Sequence, residues 1–196
     1  MGTQEEAVRP AAALAEVPAS CSERDPVADA QTQGAERDPH EVARQIVLRQ
    51  LALAPRSRAQ LGRKLSQHGC PADVAARVLD RMTEIGLVDD QAYAQMLVRS
   101  QQTGRGLAKR ALARELRNKG IEDDLADEAL ASISDADERE RARKLVGKKI
   151  RAMQGVGIEV QTRRLAGMLA RKGYSSSVAT AVIREAVADA PEYPPD

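Results

Sequence analysis

Phenylalanine and tryptophan are absent from this 196-residue chain, and the only tyrosines are Tyr93, Tyr174 and Tyr193. The core must therefore be built from Leu, Val, Ile, Met and Ala. Binding of nucleic acid by stacking bases on aromatic platforms is nearly excluded. Cysteine is scarce as well: Cys21, Cys70, His40 and His68 show no metal-ligand spacing, so no metal site is expected. Both cysteines read as free thiols in a reducing cytoplasm. No apolar run approaches the ~20 residues of a membrane span. The N-terminus lacks the basic and apolar regions of a secretory signal. No stretch alternates long enough to make a strand, and clusters of β-branched residues are missing.

Charge is present and segregated. The formal net charge is only +1, but residues 1–39 set three arginines against eight acids, and residues 185–196 hold four acids and no base. Residues 40–184 therefore carry a net +10. A basic body with acidic ends suits a negatively charged partner. The first 39 residues, rich in Ala, Pro, Glu, Asp, Gln and Ser, have no sustained period and read as a disordered acidic tail.

From His40 onward the sequence repeats. LGRKLSQHGCPADVAARVL, LARELRNKGIEDDLADEAL and LAGMLARKGYSSSVATAVI superpose on Gly69, Gly120 and Gly173, which lie 51 and 53 residues apart. Leu61, Leu112 and Leu165 then align, as do Leu65, Leu116 and Leu169, with apolar positions matching further on. Matched positions at near-constant spacing signify tandem units. Each unit has the same grammar. A first helix carries an apolar stripe: Val42, Ile46, Leu48 and Leu51; then Tyr93, Met96 and Leu97; then Ala142, Leu145, Val146, Ile150 and Met153. A break follows, at Pro55–Ser57, Thr103–Gly106 and Gln154–Gly157. A second helix carries the paired leucines and stops at the glycine, which can take the left-handed conformation. A third helix begins after Asp73, Asp123-Asp124 or Ser176-Ser177. Ser57 with Gln60 fits a capping box. The expected fold is all-α: three tandem three-helix repeats over 40–86, 87–134 and 135–190, with 191–196 a flexible end.

Candidate chemistry is sparse. Neighbouring residues on a helix point about 100° apart, so Asp89-Asp90 and Asp123-Asp124 read as helix starts rather than paired catalytic carboxylates. Gly104-Arg105-Gly106 and Gly155-Val156-Gly157 lack the Lys-Ser/Thr and the preceding strand of a phosphate loop. His68, before Gly69, suits a helix C-terminus. Tyr93 and Tyr174 fall at core positions. No catalytic residue and no cofactor is expected.

The middle unit departs from this neutrality. Its second helix, read as Leu107–Lys119, places Ala108, Leu112 and Leu116 on one side and Arg110, Arg114 and Arg117 on the other. With Arg99, Arg105, Lys109 and Lys119, the segment 99–119 holds seven bases and one acid, Glu115. The stripe aligns with Ala59, Arg63 and Ser66 in the first unit and with Arg163, Gly167 and Ala170 in the third. It is complete only in the second, so the repeat fold does not require it. These seven basic residues are the candidate contacts to an acidic partner.

Gly86-Leu87-Val88-Asp89-Asp90, then Tyr93-Ala94, Gly106, Leu112, Glu115-Leu116 and Lys119-Gly120-Ile121, resemble the signature of the RecX family. The resemblance extends over about 40–190, taking in Ser57-Arg58 with Leu61 and Arg171–Tyr174. It leaves the acidic tail outside. It implies an elongated, curved array of three three-helix repeats without enzymatic activity. It also implies a monomeric cytoplasmic protein that binds the RecA recombinase, notably RecA on single-stranded DNA, along the filament groove. Strand exchange, ATP hydrolysis and co-protease function would thereby be inhibited, in DNA repair and the SOS response. The signature residues are expected to be structural. Direct DNA contact by the basic stripe is a weaker expectation. The competing class, a helix-turn-helix regulator binding DNA directly, is disfavoured by the acidic third helix of the second unit, with Glu122, Asp123, Asp124, Asp127 and Glu128.

Overall fold

A computed structural model describes residues 38–153 and 155–188; the acidic tail, Cys21, Gln154 and the final residues fall outside them. Among the described residues the chain forms nine α-helices and no strand. Unit one comprises α1 (Pro39–Leu53), α2 (Arg58–Gln67) and α3 (Ala72–Glu84). Unit two comprises α4 (Asp90–Arg105), α5 (Lys109–Lys119) and α6 (Asp123–Ala131). Unit three comprises α7 (Asp135–Arg151), α8 (Ile158–Arg171) and α9 (Ser176–Ala188). None is long and apolar enough to cross a membrane.

Each unit closes on its own apolar cluster. The leucine pairs Leu61/Leu65, Leu112/Leu116 and Leu165/Leu169 are each at most 1 % exposed and sit at the centre of these clusters. An i, i+4 pair on one helix face meets the first and third helices of its unit. The extensive helix–helix packing stays inside units, and the units meet through helix ends.

Those ends repeat a single junction. At the first, the Arg58 amide, at the start of α2, donates to Asp90 Oδ1 at 2.8 Å. The hydroxyl of Ser57, the α2 N-cap, donates to the Lys119 carbonyl at 2.6 Å. A β-carbon on Gly120 would lie 2.4 Å from Ala59 Cβ. At the second, the Lys109 amide, at the start of α5, donates to Glu138 Oε2 at 2.9 Å. The amide of Ala108, the α5 N-cap, donates to the Lys172 carbonyl at 2.9 Å, and a β-carbon on Gly173 would lie 2.6 Å from Ala111 Cβ. Lys172 Nζ also donates to the Arg105 carbonyl. In both junctions an acid of the following unit accepts from the first backbone amide of the second helix, adding to the Ser57 capping box at α2 and standing in for an absent side-chain cap at α5. In both, the second helix of the following unit ends on a glycine at positive φ, pressed against the preceding unit. The equivalent Gly69 has nothing within 4 Å of its β-carbon position.

Several expectations need correction. The helix expected to break at Thr103 continues through Gly104 to Arg105, with the left-handed Gly106 as its C-cap. A lone interior glycine costs only about 1 kcal/mol and does not by itself stop a helix. Helix α5 begins at Lys109 rather than Leu107, and Ala108 packs into the cluster of unit three instead of joining Leu112 and Leu116. Met96 and Val42, placed on apolar stripes, are each 37 % exposed. Third helices begin at or just before the expected cap residues. Asp73 lies in the first turn of α3, Asp123 and Asp124 in that of α6, and Ser176 and Ser177 within α9. Glu122 and Pro71, at the actual N-caps, make no side-chain capping bond. Acids in a first turn act through the helix dipole.

Candidate partner-binding face

Helix α5 is held by its two ends and its apolar side. Ala111, Leu112 and Leu116 are buried in unit two. The C-terminal end meets unit one through Lys119 and Gly120, and the N-terminal end meets unit three through Ala108 and Ala111. The remaining side is free. Arg110, Arg114 and Arg117 are exposed on it and, with Asn118, line one shallow depression. Arg117 Nε bonds back to the Ala113 carbonyl at 3.4 Å. Among the described residues, none of these three arginines, nor Lys109 or Arg99, forms an ion pair.

The seven basic positions thus separate. Arg110, Arg114 and Arg117 form the cluster, and Lys109 is exposed at its N-terminal edge. Arg105 is turned away, with its guanidinium 3.2 Å from Glu115 Oε1 and the same distance from Gln101 Oε1. It is ion-paired with the one acid of α5. Arg99 is exposed on α4, and Lys119 is half-buried at the junction.

Arg63 lies outside the seven candidate positions. Its Nη1 lies 3.5 Å from the position a β-carbon on Gly120 would take, so a unit-one cation stands at the end of α5. The signal was present: Arg63 aligns with Arg114. Its place beside Gly120 comes from the junction, which no local pattern encodes.

Most signature residues are buried or sit where the backbone turns. Gly86, Gly106 and Gly120 take positive φ, and Tyr93, Ala94, Leu112 and Leu116 are buried. Asp89 caps α4 by accepting from the Ala92 amide at 2.8 Å. Asp90, the first-turn acid of α4 as expected, also accepts from the Arg58 amide of α2; burial pushes its carboxyl above the usual range, against the lowering effect of the Arg58 amide and guanidinium. Burial raises the Tyr93 phenol too. Tyr174 is 5 % exposed and donates to the Gly106 carbonyl at 3.1 Å; burial lifts its pKa to about 12. Leu87 is the exception, 48 % exposed. Cys70 is a half-buried free thiol. Among the described residues no group of three His, Cys, Asp or Glu side chains is placed to hold a metal ion.

The comparisons agree unit by unit. The family models for the first, second and third three-helix domains of RecX match residues 43–82, 89–130 and 136–183. The "Regulatory protein RecX" of Streptomyces coelicolor is 50 % identical over 151 residues, covering 77 % of this chain and 80 % of that one. Its counterpart in Mycolicibacterium smegmatis is 44 % identical over 170 residues, covering 85 % and 90 %. Among solved structures, RecX from Lactobacillus salivarius superposes with a TM-score of 0.68 over 77 % of this chain and 98 % of that one, at 21 % identity, a likeness of fold. A second structure, titled as regulatory protein RecX, gives 0.65 at 26 % identity over 74 % and 71 %. With the same three domains in the same order and close relatives over most of its length, the chain belongs to the RecX family of regulatory proteins.

Proposed function

We propose that the chain is a non-catalytic regulator that binds the RecA recombinase, above all RecA assembled on single-stranded DNA. Binding restrains strand exchange, ATP hydrolysis and co-protease function in the cytoplasm during DNA repair and the SOS response. The observation that carries this reading is the unpaired cation face of α5 on a chain whose three units all match the family. A filament is long and repetitive, and three units joined through fixed helix ends offer it several contacts at once. Weak contacts then combine through effective concentration. An array lodged across protomers obstructs the incoming DNA and the subunit movements tied to ATP turnover. The face engages the filament through Arg110, Arg114, Arg117 and Lys109, with Arg99, Arg105 and Lys119 at its margins.

The helix-turn-helix alternative gains nothing from the geometry: α6 opens on Asp123 and Asp124, which repel a phosphate backbone. Titrating the purified protein into RecA-catalysed strand exchange and ATPase assays tests the reading. Inhibition that saturates near a fixed ratio to RecA is expected. Strand exchange and ATPase rates unmoved by excess protein would reject it.

A further inference from the structure

We propose that the cation face binds the phosphodiester backbone of a single-stranded nucleic acid directly, through a track crossing the unit-one junction: Arg110, Arg114, Arg117 and Arg63. This deepens the reading above, and rests on it for the place where the strand is met. Three observations carry it.

The first is continuity. Ten helical rises carry the chain from Arg110 to Gly120, the C-cap of α5, about 15 Å. Arg114 and Arg117 lie between. The close approach of Gly120 to Ala59 then sets the Arg63 guanidinium at the end of the row, and Arg63 is itself exposed. The track therefore outlasts the helix that carries most of it.

The second is the absence of opposing charge. Helix α2 contains no acid, and the only acid of α5, Glu115, is turned to Arg105. A guanidinium keeps its charge at any working pH and offers a planar fork that fits phosphate oxygens.

The third separates nucleic acid from an acidic protein surface, the other polyanion that could pair with this face. Protein interfaces are centred on anchors, Trp, Tyr and Arg foremost, that become fully buried in a largely apolar, charge-depleted core. The large exposed apolar residues described here are Val42, Leu53, Ile85, Leu87, Met96 and Ile158, and none is on α2 or α5. The track is cationic without such a core. With no aromatic side chain on either helix, it cannot stack bases. Binding should be sequence-tolerant and dominated by counterion release.

Arg63 has a competing role, because a cation beside the carbonyl end of α5 also stabilises the helix dipole. The test separates the two. Anisotropy of a labelled oligothymidylate is measured with the full chain across a salt series, RecA being absent. Four single-strand phosphate contacts predict that log K falls against log salt with a slope of about −2.8. Arg63→Gln should weaken binding several-fold and reduce the slope by about 0.7, and the combined Arg110→Gln, Arg114→Gln and Arg117→Gln variant should remove about 2.1 of it. Arg77→Gln, on α3 and ion-paired with Asp73, should leave both unchanged. No binding by the parent overturns the proposal. So does an Arg63→Gln variant that melts earlier but keeps the parental slope. If the arginine variants lose RecA inhibition while the parent ignores the oligonucleotide, the face meets protein carboxylates, and the regulatory reading survives alone. If the oligonucleotide binds as predicted while RecA is unaffected, the track stands and the regulatory reading falls.

Discussion

The hydroxyl of Ser57 donates to the carbonyl of Lys119, 62 residues further along the chain, at 2.6 Å. Ser57 is fully buried, and its oxygen also accepts from the Gln60 amide at 3.2 Å, as the N-cap of α2. One side chain thus closes a helix of unit one and satisfies the last turn of a helix of unit two. Ser57→Ala removes both. Losing an N-cap costs about 1 kcal/mol, and leaving the part-buried Lys119 carbonyl without this partner costs about 1 kcal/mol or more besides. Ser134→Ala is the comparison, because Ser134 caps only its own helix, accepting from the Asp137 amide. Thermal unfolding should show a drop for Ser57→Ala at least twice that for Ser134→Ala. Equal drops would mean the bond between units adds nothing.

The glycines offer a graded series. Gly69, Gly120 and Gly173 all have positive φ, at 73°, 76° and 89°. Alanine at any of them incurs the left-handed penalty of about 1–2 kcal/mol. At Gly120 and Gly173 it also collides with the neighbouring unit, at 2.4 Å from Ala59 Cβ and at 2.7 Å from the Ala111 nitrogen. Such overpacking adds about 1–3 kcal/mol. Denaturant midpoints should therefore fall slightly for Gly69→Ala and much further for Gly120→Ala and Gly173→Ala. A Gly69→Ala effect as large as the others would show that backbone strain alone explains the series.

These two relationships mark what was legible in the sequence. The leucine pairs and the capping box rest on spacings of four and three residues, and the terminal glycines on a recurrence at 51 and 53, all of them regularities along the chain. The all-α repeat was readable from them. The junction was not, since Ser57 and Lys119, or Ala108 and Lys172, are brought together only by packing. For that reason the sequence groups Ala108 with Leu112 and Leu116, and it shows Asp90 at the start of α4 but not its second bond, to the Arg58 amide of α2. The end of α4 was misplaced for a local reason: Gly104 and Gly106 look alike in sequence, but only Gly106 adopts the left-handed turn. At the candidate face, charge pattern alone found Arg110, Arg114 and Arg117. It could not reveal that Glu115 holds Arg105, or that Arg63 joins the row.

Tyr174 ties the second junction to pH. Its phenol donates to the Gly106 carbonyl, and burial lifts its pKa from 10.0 to about 12. A group whose folded pKa lies above its unfolded value favours folding fully below the unfolded value. That contribution fades as pH rises from about 10 towards 12. Tyr174→Phe should cost about 1 kcal/mol at neutral pH through the lost hydrogen bond. The gap from the parent should narrow as alkali is added. In tyrosinate absorbance titrations of the folded protein, the last phenol to ionise should vanish in the variant. A constant gap across that range would show that Tyr174 ionises as freely in the folded chain as in the unfolded one.

The stripe itself is tested by charge reversal. Changing Arg110, Arg114 and Arg117 together to Glu inverts the local field while leaving Ala111, Leu112 and Leu116, which carry the packing, in place. Exposed substitutions usually cost about 0.5 kcal/mol or less each, so circular dichroism should report an unchanged helix content. Inhibition of RecA-catalysed strand exchange should fall strongly. For the parent, inhibition should weaken as ionic strength rises, because attraction between exposed charges is screened over about 10 Å at 0.1 M salt. Arg163 and Arg164 of unit three are exposed on α8 and provide the control. Reversing both should do less, since that helix keeps only one arginine of the row, Arg163: the positions matching Arg114 and Arg117 are Gly167 and Ala170. Both variants must be compared at one salt concentration. A folded triple variant that inhibits as well as the parent would reduce the stripe to a solvated helix face. Equal losses from both variants would assign the effect to net charge instead of to the ordered row on α5.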